Sequence, residues 1–219
     1  DTYSNSQLTT GIATFDALAE DGRLYESASS VAFEADHLTS QPINLDLPAS
    51  DNIWLSFHYQ PGGIADLPEE NDSLTLQFFA PAENKWYSVW RTAGNNYPDF
   101  KATAIRVDQP EFLKKGFRFR FINYASLSAN LTDPSISGNC DQWNIDYVLL
   151  DKNRDEGDTV YADVAFRYAG RSLLKTYEAM PWKQYIKIYT SEMGDSISIH
   201  YRNNDIIPRN VTRNFEIYD

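Results

Sequence analysis

Three sets of side chains in this 219-residue sequence have the types and spacing to do chemistry. The first is aromatic. Trp54, Trp86, Tyr87, Trp90 and Trp143 lie on or beside stretches of strand-like alternation, and Arg118 and Arg120 sit two apart in Phe117-Arg118-Phe119-Arg120-Phe121. Flat rings stack on the C–H faces of sugars, while guanidinium and amide groups add directional hydrogen bonds. Core packing is the plainer reading for any single Trp, and Trp143 takes it by parity with Ile145. The arginine pair is more informative, because a charged residue on an inner strand must face water or a partner. Trp54, Trp86, Trp90, Arg118 and Arg120 are therefore the candidate ligand-binding residues, for glycan or protein.

The second set is acidic. Thirty-one Asp and Glu against 19 Lys and Arg give a net charge of −12. Calcium takes several oxygen ligands, carboxylates among them, and Asp16, Glu20, Asp21, Asp36 and Asp141 could contribute. There is no ordered Asp-x-Asp-x-Asp loop, so solvated acidic loops are the plainer reading. Asp16, Asp36 and Asp141 are the candidate set for a structural calcium, and no other cofactor is expected. The same charge argues against nucleic acid and anionic membrane surfaces, which are bound by cations that displace counterions.

The third set would be catalytic, and it does not assemble. Glycoside hydrolysis needs two carboxylates across the scissile bond. Glu69, Glu70 and Glu83 fall in loops, and Asp146 shares its strand face with the amide of Asn144. No Gly-x-Ser-x-Gly elbow is present, and His37, His58 and His200 lie far apart. Neither a zinc spacing nor a phosphate-binding glycine loop occurs. Cys140 follows Ser137-Gly138-Asn139 and precedes Asp141, an acid that raises a thiol pKa; it reads as a loop cysteine. No catalytic residue is assigned, and the expectation is a protein that is not an enzyme.

These residues need strands to position them. Hydrophobic residues make up 42% and aromatics 14% of the chain, which excludes disorder as its dominant state. No apolar run approaches the roughly 18 residues of a membrane span. Period-two alternation recurs: Ile53, Leu55, Phe57 and Tyr59; Leu74, Leu76 and Phe78; Phe117, Phe119 and Phe121; Trp143, Ile145, Tyr147 and Leu149. Such spacing gives each strand a core face and an opposite face. Turn clusters at Gln60-Pro61-Gly62-Gly63, Gly94 to Pro98 and Asp133-Pro134 separate them. The pattern predicts an all-β fold, a jelly-roll β-sandwich over residues 1–151.

The charged run from Asp151 to Asp158 reads as a linker. Beyond it, residues 158–219 predict a smaller β-rich, Ig-like module. Its strands are expected over Thr159–Ala169, Ile186–Thr190, Ser196–Tyr201 and Phe215–Tyr218. Ser172–Met180 is either a short helix or extended, stopping at Pro181. The chain opens on Asp1-Thr2-Tyr3-Ser4 without a leader, and its last strand runs into the terminus. A piece of a longer protein is expected.

Four stretches together resemble the MAM-type modules, relatives of the concanavalin-like jelly roll. They are Ile53 to Tyr59 running through Gly62-Gly63 into Asp72 to Phe78, Trp86 to Trp90 before Gly94, Phe117 to Phe121, and Asp141 to Leu149, which is similar to that family's closing "IDDV" strand. Thr14-Phe15-Asp16 is compatible with a first strand pairing with the last. The resemblance covers about Gly11 to Asp151. Lacking the cysteines of animal members, the chain looks more like the cysteine-poor version in surface proteins of Bacteroidetes-type bacteria. Asp72-Ser73-Leu74, Asp158-Thr159-Val160 and Asp195-Ser196-Ile197 resemble the O-glycan acceptor of that group, at Ser73, Thr159 and Ser196. The resemblance implies a secreted or cell-surface module on the bacterial outer-membrane exterior, with glycan or surface protein as partner. Membership of an outer-membrane or secretion assembly and a carbohydrate-active enzyme are the alternatives.

Overall fold

A computed structural model of the chain describes residues 3–97, 99–127, 141–212 and 214. Cys140, and the strand expected over Phe215–Tyr218, lie outside the described residues. The alternating stretches form two antiparallel sheets. In the first, β1 (Ala13–Phe15), β9 (Trp143–Asp151), β4 (Trp54–Pro61) and β7 (Lys101–Arg106) lie side by side in that order. In the second the order is β2 (Phe33–Thr39), β8 (Lys115–Ala125), β5 (Ser73–Ala80) and β6 (Lys85–Ala93), with the short β3 (Ile43–Asn44) also paired to β8. The chain crosses between sheets from β1 to β2, β3 to β4, β4 to β5, β6 to β7, β7 to β8 and β8 to β9. That is the path of a jelly roll.

Period two explains the core. Leu55 and Phe57 of β4 meet Leu74, Leu76 and Phe78 of β5 and Phe117 and Phe121 of β8, all of them fully buried. Phe57 stands edge-on to Phe121 at 4.8 Å and to Trp90 at 5.1 Å, and Phe78 to Phe117 at 5.2 Å. Each such pair adds about 0.5–1.5 kcal/mol beyond the area it buries.

Bulges in β6 and β9 break the alternation, and the register also shifts where β2 and β3 pair with β8. In β6, Leu76 pairs with Trp90 but Gln77 pairs with Ser88, so Val89 is an extra residue. In β9, Ser56 pairs with Leu149 and His58 with Asp146, and Tyr147 takes a positive φ of 53°. Parity therefore flips within β9. Trp143 and Ile145 point into the core as expected, but Leu150 joins them there in place of Tyr147 and Leu149.

The run from Asp151 to Asp158, expected as a linker, packs on the sandwich. The Asn153 and Arg154 amides donate to the carbonyls of Asp51 and Asn52. The Arg154 side chain, 5% exposed, donates to the Asp158 carboxylate at 2.8 Å and to the carbonyls of Leu149 and Asp158. The compact units are residues 1–7 with 11–159, and residues 8–10 with 160–219.

In the second unit β10 (Val164–Phe166) pairs with β11 (Tyr201–Asn203). No second sheet faces this ladder among the described residues, whereas an Ig-like module has two. The strand expected over Ile186–Thr190 is instead part of a helix, α1 (Trp182–Glu192). Ile186-Lys187-Ile188 mimics a period of two, but Trp182, Tyr185 and Tyr189 also recur at helical spacing. Pro181 sits at the helix start, where its missing N–H costs nothing, and its carbonyl accepts from Gln184 and Tyr185. Residues 172–180 are not helical; Leu174 bridges to Met193. Glu192, buried at the helix end, accepts from the Thr176 and Tyr177 amides.

Candidate ligand face and carboxylate cluster

Leu74, Leu76 and Phe78 fill the core, so Ser73, Thr75, Gln77 and Phe79 line the opposite face of the second sheet. Register brings their neighbours alongside. Phe79 lies between Arg118 and Trp86, and Gln77 between Arg120 and Ser88. The Arg118 guanidinium stacks 4.2 Å from the Phe79 ring centre, and that of Arg120 4.3 Å from Trp86. The Arg120 Nε donates to Gln77 Oε1 at 2.8 Å, which fixes the guanidinium plane. Phe79 and Trp86 are 5.0 Å apart. None of these arginines forms an ion pair among the described residues. The result is a cationic face on an acidic protein, with Arg118 stacked over the buried Phe79 ring and Arg120 over the half-buried Trp86.

Of the five expected ligand residues, three meet there: Trp86, Arg118 and Arg120. Trp90 does not. Its parity matches Trp86 and Ser88, but the Val89 bulge turns it inward, 5.1 Å from Phe57 and 5.0 Å from Tyr59. Trp54 lies on β4 of the other sheet, opposite Arg106 and Asp151. Phe79 and Gln77 were missed because one reads as core and the other as a neutral strand position.

The expected calcium ligands separate. Asp36 is saturated by protein donors: Ala17 N–H at 2.6 Å, the Tyr25 hydroxyl at 2.9 Å and Asn123 at 3.5 Å. Asp16 accepts from the Leu18 amide and shapes the same loop. Burial, and then the Asp36 carboxylate, push the Tyr25 phenol up to about 12.

Asp141 instead joins the carboxylates of Glu69, a loop residue, and of Asp72, which opens the Asp72-Ser73-Leu74 tripeptide. Ligand oxygens of all three lie within 4.8 Å of one another. Asp72 directly precedes β5 and Asp141 stands two residues before β9, so the cluster joins an end of each sheet. Asp72 and Asp141 are both 0% exposed, while Glu69 is exposed. Ser126, just after β8, donates to Asp72 at 2.7 Å, and the Glu69 amide donates to its other oxygen at 3.0 Å. Burial comes first, then the Asp72 and Glu69 carboxyls, in pushing the Asp141 carboxyl up to about 10. Burial and Asp72 likewise raise Glu69.

The three acceptor tripeptides differ in access. Ser73 is fully buried at the start of β5, closed to a transferase acting on the folded chain, whereas Thr159 is half-buried and Ser196 exposed. Among the described residues no helix is long and apolar enough to cross a membrane. No protein-family model matches the chain, and no curated protein matches it. The fold and the site define its class on their own: an all-β sandwich with an aromatic–arginine face.

Proposed function

We propose that this chain is a non-catalytic, MAM-like surface module of a larger exported bacterial protein, binding glycan through the outward face of its second sheet. The observation that carries this is the convergence of Trp86, Phe79, Arg118 and Arg120 on that face. Trp86 offers a stacking platform, and the arginines offer donors in a fixed geometry. The buried state of Asp72, Asp141 and Asp146 supports a non-catalytic role, because a sugar cannot pass between carboxylates closed to solvent. A secreted or cell-surface location follows from the same reading.

Affinity electrophoresis through a panel of acidic and neutral polysaccharides tests it. At least one polysaccharide retards the chain, and Trp86→Ala abolishes the retardation while lowering the unfolding free energy by no more than about 1–2 kcal/mol, the value of its ring and cation contacts. Migration unaffected by every polysaccharide would leave a spacer role.

A second reading, a subunit of an outer-membrane or secretion assembly acting through protein contacts, draws on the second unit. Trp182 is 70% and Ile206 83% exposed there, alongside Phe166, Leu173 and Ile207. Exposed apolar groups at this density mark protein-contact surfaces. Co-purification of membrane proteins with the chain, lost on Trp182→Ser with Ile206→Ser, is the outcome that favours this second role.

A further inference from the structure

We propose that Glu69, Asp72 and Asp141 bind a calcium ion that ties the two sheets of the sandwich together at one end. Three carboxylates share a space less than 4.8 Å across, and none of them is ion-paired to Lys or Arg among the described residues. Asp72 accepts from the Ser126 hydroxyl and from the Glu69 amide. Asp141 differs. It is wholly buried, and neither of its oxygens finds a donor among the described residues. A buried carboxylate in that state keeps its proton unless a cation meets it and lets it ionise. Gln142 Oε1 and Ser73 Oγ, on the residues following Asp141 and Asp72, are buried and unpartnered too.

The donor set selects the ion. All oxygen, with no imidazole or thiolate, it suits a hard cation over zinc. Magnesium requires near-ideal octahedral geometry and keeps several waters, which two fully buried carboxylates leave little room for; calcium accepts irregular oxygen cages. Entry is through Glu69, the exposed member. The loop that carries it is pressed against Gly94: a Cβ there would lie 1.9 Å from the Glu69 carbonyl oxygen, and the Gly94 amide donates to the Asp72 carbonyl. Four strand ends meet at the cluster, those of β5, β6, β8 and β9. The ion therefore acts as a cross-sheet clasp, independently of any ligand on the aromatic face.

Calorimetric titration and thermal unfolding of the whole chain, after chelator treatment, test the proposal. Calcium is expected to bind with a dissociation constant of about 10⁻⁴ M or tighter, as extracellular modules do, and to raise the unfolding midpoint by several degrees. Magnesium at equal concentration should do neither. Glu69→Gln, which alters an exposed side chain and leaves the fold intact, should weaken calcium at least tenfold, and Asp72→Asn should abolish it. The assignment is overturned by a folded chain that takes up no calcium at 10 mM, by magnesium matching calcium, or by an unchanged calcium affinity in Glu69→Gln.

Discussion

Asp36 and Asp141 are both carboxylates in an acidic chain, yet they have opposite surroundings, and the difference sets what each can do. Asp36 is filled by donors from Ala17, Tyr25 and Asn123, so it holds the loop from 16 to 25 against β2. Tyr25→Phe removes the phenolic donor and should cost about 1 kcal/mol, less than the roughly 1.5–3 kcal/mol of a buried hydrogen bond to a charged group, because Tyr25 is only half-buried. The pH dependence has a definite sign. Folding holds the phenol protonated up to about 12, against an ordinary value of 10.0. The stability it contributes is complete below pH 10 and is lost as pH rises through 12. Urea unfolding should thus separate parent from Tyr25→Phe at pH 8 and bring them together toward pH 12. Among the described residues Asp141 has no such donors outside the cluster, and no spacing rule joins it to Asp72, 69 positions earlier. The residue types of a calcium site are legible in this sequence; the pairing of loops that gathers them is set by the sandwich.

At the scale of the strands, alternation predicts the cores of β4, β5 and β8 residue by residue, because period two survives wherever a strand runs without interruption. It fails at the bulges in β6 and β9. A single extra residue, Val89 in β6, reverses the parity of everything beyond it, and nothing in Trp86-Tyr87-Ser88-Val89-Trp90 marks the insertion. Trp86 and Trp90 thus look equivalent in sequence and have opposite roles. Trp90→Ala should destabilise the chain by about 3–5 kcal/mol, as truncation of a packed aromatic does; Trp86→Ala should cost far less and act on ligand retention instead. Chemical denaturation of the two variants side by side checks this, and equal losses would contradict the assignment of faces. The same ambiguity between periods concealed α1, where Ile186-Lys187-Ile188 satisfies a strand template while the flanking aromatics satisfy a helical one.

Considered whole, the chain distributes its apolar burial unevenly. The sandwich holds a continuous core, while the buried apolar side chains of the second unit are Leu8 and Tyr161 among the described residues. Its order depends on polar contacts such as Glu192 with the Thr176 and Tyr177 amides, and the Lys175 amide with the Glu192 carbonyl. Scanning calorimetry should therefore resolve two transitions, the second unit melting first, with Glu192→Ala lowering that transition alone. A single transition shifted as a whole would show that the units unfold together. Arg154 has a mechanical consequence for a module carried within a longer polypeptide. Its guanidinium clamps Asp158 to the carbonyl of Leu149, two residues before the end of β9. Tension applied beyond residue 159 is taken up by that clamp before it reaches the last rung of the β9 ladder at Asp151. The end of β9 is thus guarded by contacts that lie outside its own ladder, and the strand opens only after they have given way.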